Sequence, residues 1–265
     1  MIRVRGLEKS YGRLPVLRGL DADVPTGRVT ALVGPNAAGK TTLVKSILGL
    51  VRPGGGTIEL DGRRIGPDPA VRERIGYMPQ LPAFPDNLRV RELFRFVDEL
   101  RGMETTRPAD AAPGGRPRQE LIELFGLTDS LDRRLGTLSG GTRQKVNAAL
   151  AFRYGTEVLI LDEPTAGLDP LSRSRLKDLI RDERERGVTI LVTSHVLSEL
   201  RELAEHLVYL VDGRTRHDGP VDALLRRMET DDLERAVARL MEADAGERSA
   251  DARPSAGDRP ALEVL

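Results

Sequence analysis

At 265 residues the chain has room for one large domain, or for one domain with an inserted subdomain and a tail. Its 31% charged and 39% hydrophobic residues suit a folded globule, and a formal net charge of +0 argues against a broadly basic nucleic-acid-binding surface. The lack of cysteine excludes disulfides and thiolate metal sites, and the histidines (His195, His206 and His217) are too few to suggest a histidine-built metal site.

The first residues, MIRVRGLEKSYG, lack the apolar core of a signal peptide. No apolar run approaches the roughly 20 residues that span a bilayer, so any membrane role is expected to come through partner subunits. The first 30 residues alternate apolar and polar positions between Gly12, Pro25 and Gly27, which predicts short antiparallel strands. Val29–Val33 is a compact apolar run of the kind buried in a parallel sheet, and it ends at Gly34. Leu43, Val44, Ile47, Leu48 and Leu50 then repeat at helical spacing, and Thr57–Gly62 reads as a strand and turn.

From about 80 to 155 the pattern becomes mainly helical, with Leu93, Phe94, Phe96, Val97 and Leu100 expected on one face. Within it, residues 107–118 are so rich in Pro, Ala and Gly that a mobile surface insertion is expected. Val158–Leu161, Thr189–Thr193 and Leu207–Val211 follow as three strand-like runs alternating with helical patterns, so the fold expected is α/β with a mostly parallel sheet. Leu233–Met241 is expected to form a short amphipathic helix, and the chain beyond Ala245 to be disordered.

Gly34-Pro35-Asn36-Ala37-Ala38-Gly39-Lys40-Thr41 fits G-x-x-x-x-G-K-[ST] between a strand and a helix. That arrangement gathers backbone N–H groups around phosphate oxygens at a helix N-terminus. Lys40 brings a positive charge to the β- and γ-phosphates, and Thr41 brings a hydroxyl to Mg²⁺. The apolar strand ending in Asp162-Glu163 delivers two acids to the edge where open α/β sheets bind ligands. Asp162 is expected to hold the Mg²⁺ shell, and Glu163 to orient and deprotonate an attacking water. A lone histidine is more often structural than catalytic, but His195 ends another apolar strand, a placement that strengthens the case for function.

These residues, together with Leu138-Ser139-Gly140-Gly141-Thr142, resemble the ATP-binding-cassette (ABC) ATPase family over about residues 1–225. The LSGG element discriminates, because many unrelated ATPases carry a phosphate loop and paired acids. The order also agrees: phosphate loop, Tyr77-Met78-Pro79-Gln80, LSGGT, LILDEP, Ala166-Gly167-Leu168-Asp169, then Thr193-Ser194-His195.

The resemblance implies a P-loop NTPase fold: a RecA-like core, an N-terminal antiparallel β subdomain and an inserted helical subdomain at about 81–155. Residues 226–265 would add the short helix and tail. It implies that ATP and Mg²⁺ are bound by Gly34, Asn36, Ala37, Ala38, Gly39, Lys40, Thr41 and Thr42, with Tyr11 stacked on adenine. Gln80 would reach the Mg²⁺ and the attacking water, and His195 the γ-phosphate. Ser139, Gly140 and Gly141 would contact the γ-phosphate held by the opposite subunit, and Asp169 would lie at that interface. A second ABC subunit, expected to be an identical copy, would close head to tail over two ATP molecules. Integral membrane permeases would hold the pair on the cytoplasmic face of the membrane, their coupling helix meeting the segment from Leu81 to about Arg95.

Two positions depart from the family pattern. Ala37 stands where glycine is usual, and an alanine forced into a left-handed conformation there would cost about 1–2 kcal/mol. Thr142 stands where glutamine is common. The stretch from Ser194 to Leu225 resembles the ABC-2 exporter group. LSGGTRQKVNAALAF with LILDEPTAGLDPLS is similar to the ATPase of the transporter that serves nitrous-oxide-reductase copper-site assembly. The competing class is a soluble ABC ATPase that remodels a protein or nucleic acid; the single cassette and the absence of basic linkers and cysteines speak against it.

Overall fold

Alternation along the central strands explains how the molecule is divided. In a computed structural model, which describes residues 1–66, 69–103 and 114–251, β1 (Ile2–Tyr11) and β2 (Leu14–Val24) form a hairpin, and β3 (Val29–Val33) is buried at every residue. A helix, α1 (Lys40–Ile47), leads to β4 (Gly55–Leu60), β5 (Arg63–Arg64), α2 (Pro69–Glu73) and β6 (Ile75–Met78). The helices α3 (Val90–Leu100), α4 (Arg118–Leu124) and α5 (Gly140–Ala151) follow. The chain then alternates through β7 (Val158–Asp162), α6 (Pro170–Glu185), β8 (Thr189–Thr193), α7 (Leu197–Leu203) and β9 (His206–Val211). It closes with β10 (Arg214–Pro220), α8 (Val221–Arg227) and α9 (Leu233–Asp251).

Two sheets result. β2-β1-β4-β5 is antiparallel throughout, and β10-β9-β3-β8-β7-β6 is parallel except for β10. This is the α/β architecture expected, with its antiparallel N-terminal sheet. The six-stranded sheet separates two cores. Leu32, Ile160, Leu191 and Val208 face α1 and the antiparallel sheet, whereas Ala31, Leu161, Val192 and Leu207 face the later helices. Strands buried on both faces read as continuous apolar runs, which is why β3, β7, β8 and β9 were visible in the sequence.

Three expectations need correction. The face proposed for α3 is split: Leu93 and Phe94 are buried and Val97 partly so, but Phe96 and Leu100 are exposed. Burial follows Val90, Phe94 and Asp98 instead, because Asp98 joins a buried ion pair with Arg153. The terminal helix runs past Ala245 to Asp251, since the sequence offers no proline before Pro254. The rest of the expected tail lies outside the described residues.

The same is true of residues 107–113 of the expected insertion. Its remaining residues are tied down. Arg116 bonds Glu183 at 2.7 Å and Glu120 at 2.8 Å, while Arg186 donates to the Gly114 carbonyl at 2.6 Å. Charged partners on α6 thus hold a stretch whose composition suggested mobility.

Candidate functional site

The phosphate loop leaves the end of β3 and enters α1 under tight contact. A Cβ at Gly34 would lie 2.2 Å from the Leu210 carbonyl, so a side chain there is excluded. The Gly213 N–H donates to the Ala38 carbonyl at 3.1 Å, and Arg18 N–H donates to the Gly213 carbonyl at 2.9 Å. The β9–β10 turn and β2 therefore clamp the loop from outside. Ala37 has φ of +64°, the left-handed conformation for which glycine is the ordinary choice.

Lys40, the first residue of α1, curls over the loop and donates from Nζ to the carbonyls of Gly34 (2.6 Å) and Pro35 (3.0 Å). Burial pushes its ammonium below the ordinary lysine value, while Glu163 and Asp162 pull in the other direction.

Sheet register places the acids. Met78 lies opposite Leu161 and Asp162 opposite Thr193, so the ends of β6, β7 and β8 are level. Thr193 Oγ1 donates to Asp162 Oδ1 at 2.5 Å. Glu163 follows with φ of +49°, a strained conformation for a residue with a side chain. Its N–H holds that turn by donating to the Thr193 carbonyl (3.1 Å) and hydroxyl (3.0 Å). His195 Nδ1 meets Glu163 Oε2 at 2.8 Å, with the imidazole side chain 76% exposed. The carboxylate is thereby aimed by a neighbouring strand.

A cleft of about 480 Å³ gathers Asn36, Ala37, Ala38, Gly39, Lys40, Thr41, Thr42, Gln80, Asp162 and Glu163. Leu14, Pro15, Val16, Arg18 and Asp212 also line it, and no motif announced them. They come from the β1–β2 hairpin and the β9–β10 turn, so only the tertiary fold brings them here. Tyr11 is not among the lining residues: it is 49% exposed at the hairpin end, with Lys9 Nζ 5.2 Å from the centre of its ring. His206 and His217 also lie apart from the cleft, His206 bonded through Nε2 to Asp218 at 2.6 Å.

The cleft suits a phosphate ester carrying a hard cation. Among the described residues, no cluster of three or more His, Cys, Asp or Glu could hold a metal alone. The oxygen donors of Thr41, Asp162 and Gln80 fit Mg²⁺ shared with phosphates, which is how that ion is commonly held.

Ser139, Gly140 and Gly141 are also absent from the lining. Ser139 caps α5, its Oγ accepting from Thr142 N–H at 3.2 Å and lying 2.8 Å from Thr142 Oγ1. Thr142 therefore helps close the helix start. A Cβ on Gly141 would lie 2.8 Å from the Gly167 carbonyl, so α5 and the loop before α6 pack backbone to backbone. Asp169 caps α6 by accepting from Ser172 N–H (2.9 Å) and Oγ (2.8 Å).

Comparison with known proteins agrees with this geometry. Residues 17–166 match the family model described as ABC transporter. The chain is 35% identical over 255 residues to the daunorubicin/doxorubicin resistance ATP-binding protein DrrA of Streptomyces peucetius, covering 92% of this chain and 76% of that one. It is 37% identical over 227 residues to the Nod factor export ATP-binding protein I of Burkholderia orbicola, covering 84% and 72%. A solved structure of an ATP-binding subunit of an ABC transporter superposes with a TM-score of 0.82 at 28% identity, covering 91% of this chain and 99% of that chain.

Proposed function

The chain belongs to the ABC transporter family, and from that membership we propose that it is the ATP-hydrolysing subunit of an ABC-2 type exporter. The observation that carries this reading is one cleft, at the carboxyl ends of parallel strands, that holds the phosphate loop, Asp162, Glu163 and Gln80.

In the proposed mechanism, the loop N–H groups of residues 36–42 and Lys40 cradle the phosphates, with Lys40 transferring its hydrogen bonds from loop carbonyls to phosphate oxygens. Thr41, Asp162 and Gln80 would hold Mg²⁺, which when bound would supply positive charge against the phosphates. Glu163 accepts the proton of the attacking water, and His195 holds the carboxylate while reaching the γ-phosphate. Tyr11 offers adenine an exposed ring beside the cleft rather than a wall of it.

The signature residues stand outside the cleft of their own chain, which supports the reading that they serve a partner's ATP. We assign Ser139, Gly140 and Gly141 to that task, with Asp169 at the interface and a second copy of this chain as the partner. Leu81, 83% exposed, and the exposed Phe96 and Leu100 offer apolar contacts to a permease. No described helix is long and apolar enough to cross a membrane. Likeness to exporter ATP-binding subunits supports placing the pair on the cytoplasmic face through that permease. The names of the relatives support export as the direction. The copper-maturation likeness remains one of motifs, since no residue described here reads a cargo.

Tagged Glu163→Gln protein, purified from native membranes in mild detergent with Mg-ATP, tests the assignment. A polytopic membrane protein in a stoichiometric complex is expected. Recovery of soluble partners alone would overturn the transporter reading and favour a remodelling ATPase.

A further inference from the structure

Helix α5 begins at the signature residues and carries two carboxamides into the protein interior. Gln144 is 4% exposed and Asn147 is 3% exposed. Asn147 Nδ2 donates to the Pro79 carbonyl at 2.8 Å and lies 3.3 Å from Gln144 Oε1. Gln144 Nε2 in turn reaches the Pro164 carbonyl at 3.4 Å. Pro79 immediately precedes Gln80, and Pro164 immediately follows Glu163. A chain of two amides therefore ties one helix to the backbone on either side of the hydrolytic pair.

Chemistry explains why these side chains are amides. Pro79 lies just beyond the end of β6 and Pro164 just beyond β7, where the strand ladder no longer supplies donors. A buried carbonyl needs a donor, and an amide can donate to one group while accepting from another. Gln144 does both, accepting from Asn147 Nδ2 and donating to the Pro164 carbonyl, so the two links form one unit.

We propose that Asn147 and Gln144 are positioning residues that set Gln80 and Glu163 according to the placement of the signature helix. Because Ser139 caps the same helix, capture of a partner's nucleotide by the signature is transmitted through the two amides to hydrolysis in the chain's own cleft. The link is contiguous over hydrogen bonds and one rigid helix, a physical route for coupling. It rests on the roles assigned above to Gln80 and Glu163.

The test uses the full chain and compares Asn147→Leu, Asn147→Gln and Gln144→Leu with the parent and with Glu163→Gln. Steady-state ATP hydrolysis, binding of a fluorescent ATP analogue and thermal midpoint are measured for each. Asn147→Leu, close to isosteric but without a donor, is expected to lower kcat about tenfold while KM and analogue affinity change less than about twofold. Asn147→Gln, which keeps the amide N–H, is expected to recover most of the loss.

Parental kcat in Asn147→Leu would overturn the inference, as would equal impairment of Leu and Gln variants. If Asn147→Leu does not fold, Gln144→Leu is read in the same way, and failure of both to fold assigns the amides to stability alone and overturns it. Turnover by Glu163→Gln at the parental rate would instead remove the assignment beneath the inference, and the inference with it.

Discussion

Asp169 Oδ2 lies 2.7 Å from Lys145 Nζ, so the carboxylate that caps α6 is also bonded to the helix that carries the signature. Lys145 and the two Ser172 hydrogen bonds hold the Asp169 carboxyl well below its ordinary range. A depressed carboxylate stabilises the fold fully above the unfolded-state value and loses that contribution as pH falls through the folded value. Parent and Asp169→Asn should therefore differ in urea midpoint at pH 7, and the gap should narrow as pH falls below the ordinary aspartate value of 3.8. A gap independent of pH would mean that ionisation of the carboxylate does not cause the difference.

Replacing Glu163 by Gln removes the proposed base and leaves the phosphate loop and Asp162 intact. Turnover should fall by about 10²–10⁴-fold with nucleotide affinity retained, because general-base catalysis contributes on that scale. Phosphate release and analogue binding measured on one preparation decide the matter, and parental turnover would reassign the base.

The left-handed Ala37 carries a local cost that glycine would relieve. A residue with a Cβ loses about 1–2 kcal/mol there, offset in part by the roughly 0.5–1 kcal/mol of extra chain entropy glycine brings to the unfolded state. Ala37→Gly should raise the melting temperature by about 1–3 °C. A lowered value in scanning calorimetry would show that the alanine methyl packs favourably enough to outweigh the strain.

How much of this was legible in the sequence depended on how local each signal was. The buried strands β3, β7, β8 and β9 declared themselves as apolar runs, and the loop from Gly34 to Thr41 as a motif. β6 did not, being four residues with Gly76 among them, nor did β10, whose RTRHDGP is polar and gains its place by pairing with β9 and bonding to β2. Asn147 had no signal at all: its meaning depends on Pro79, 68 positions away, which the sheet brings within reach. Arg116 was misread for a similar reason, since its partners Asp182 and Glu183 lie on α6.

Asp98 and Arg153 form a pair in which both side chains are fully buried, with Tyr154 Oη donating to the same carboxylate at 2.9 Å. Asp98→Leu removes the carboxylate that neutralises a buried guanidinium and should cost about 3–5 kcal/mol. The double variant Asp98→Leu/Arg153→Met should recover part of that, because the fully buried guanidinium is gone and only the more exposed Arg118, 3.7 Å from Asp98, still loses a partner. Urea unfolding of the two single variants and the double variant gives the coupling, and additive effects would show that the ions act independently.

Ser139→Arg places a bulky cation at the start of α5 and should abolish hydrolysis in the closed pair while the isolated chain still binds ATP. A mixing experiment sharpens the point. Ser139→Arg retains Glu163, and Glu163→Gln retains Ser139, so each variant alone is expected to be inactive. If the signature serves the opposite chain, a mixed dimer of one of each contains one site with a parental glutamate and a parental serine, and turnover should return on mixing. If Ser139 acts within its own chain, every site in the mixture lacks one group and the mixture stays inactive. The isolated cleft, which Ser139 does not line, favours recovery.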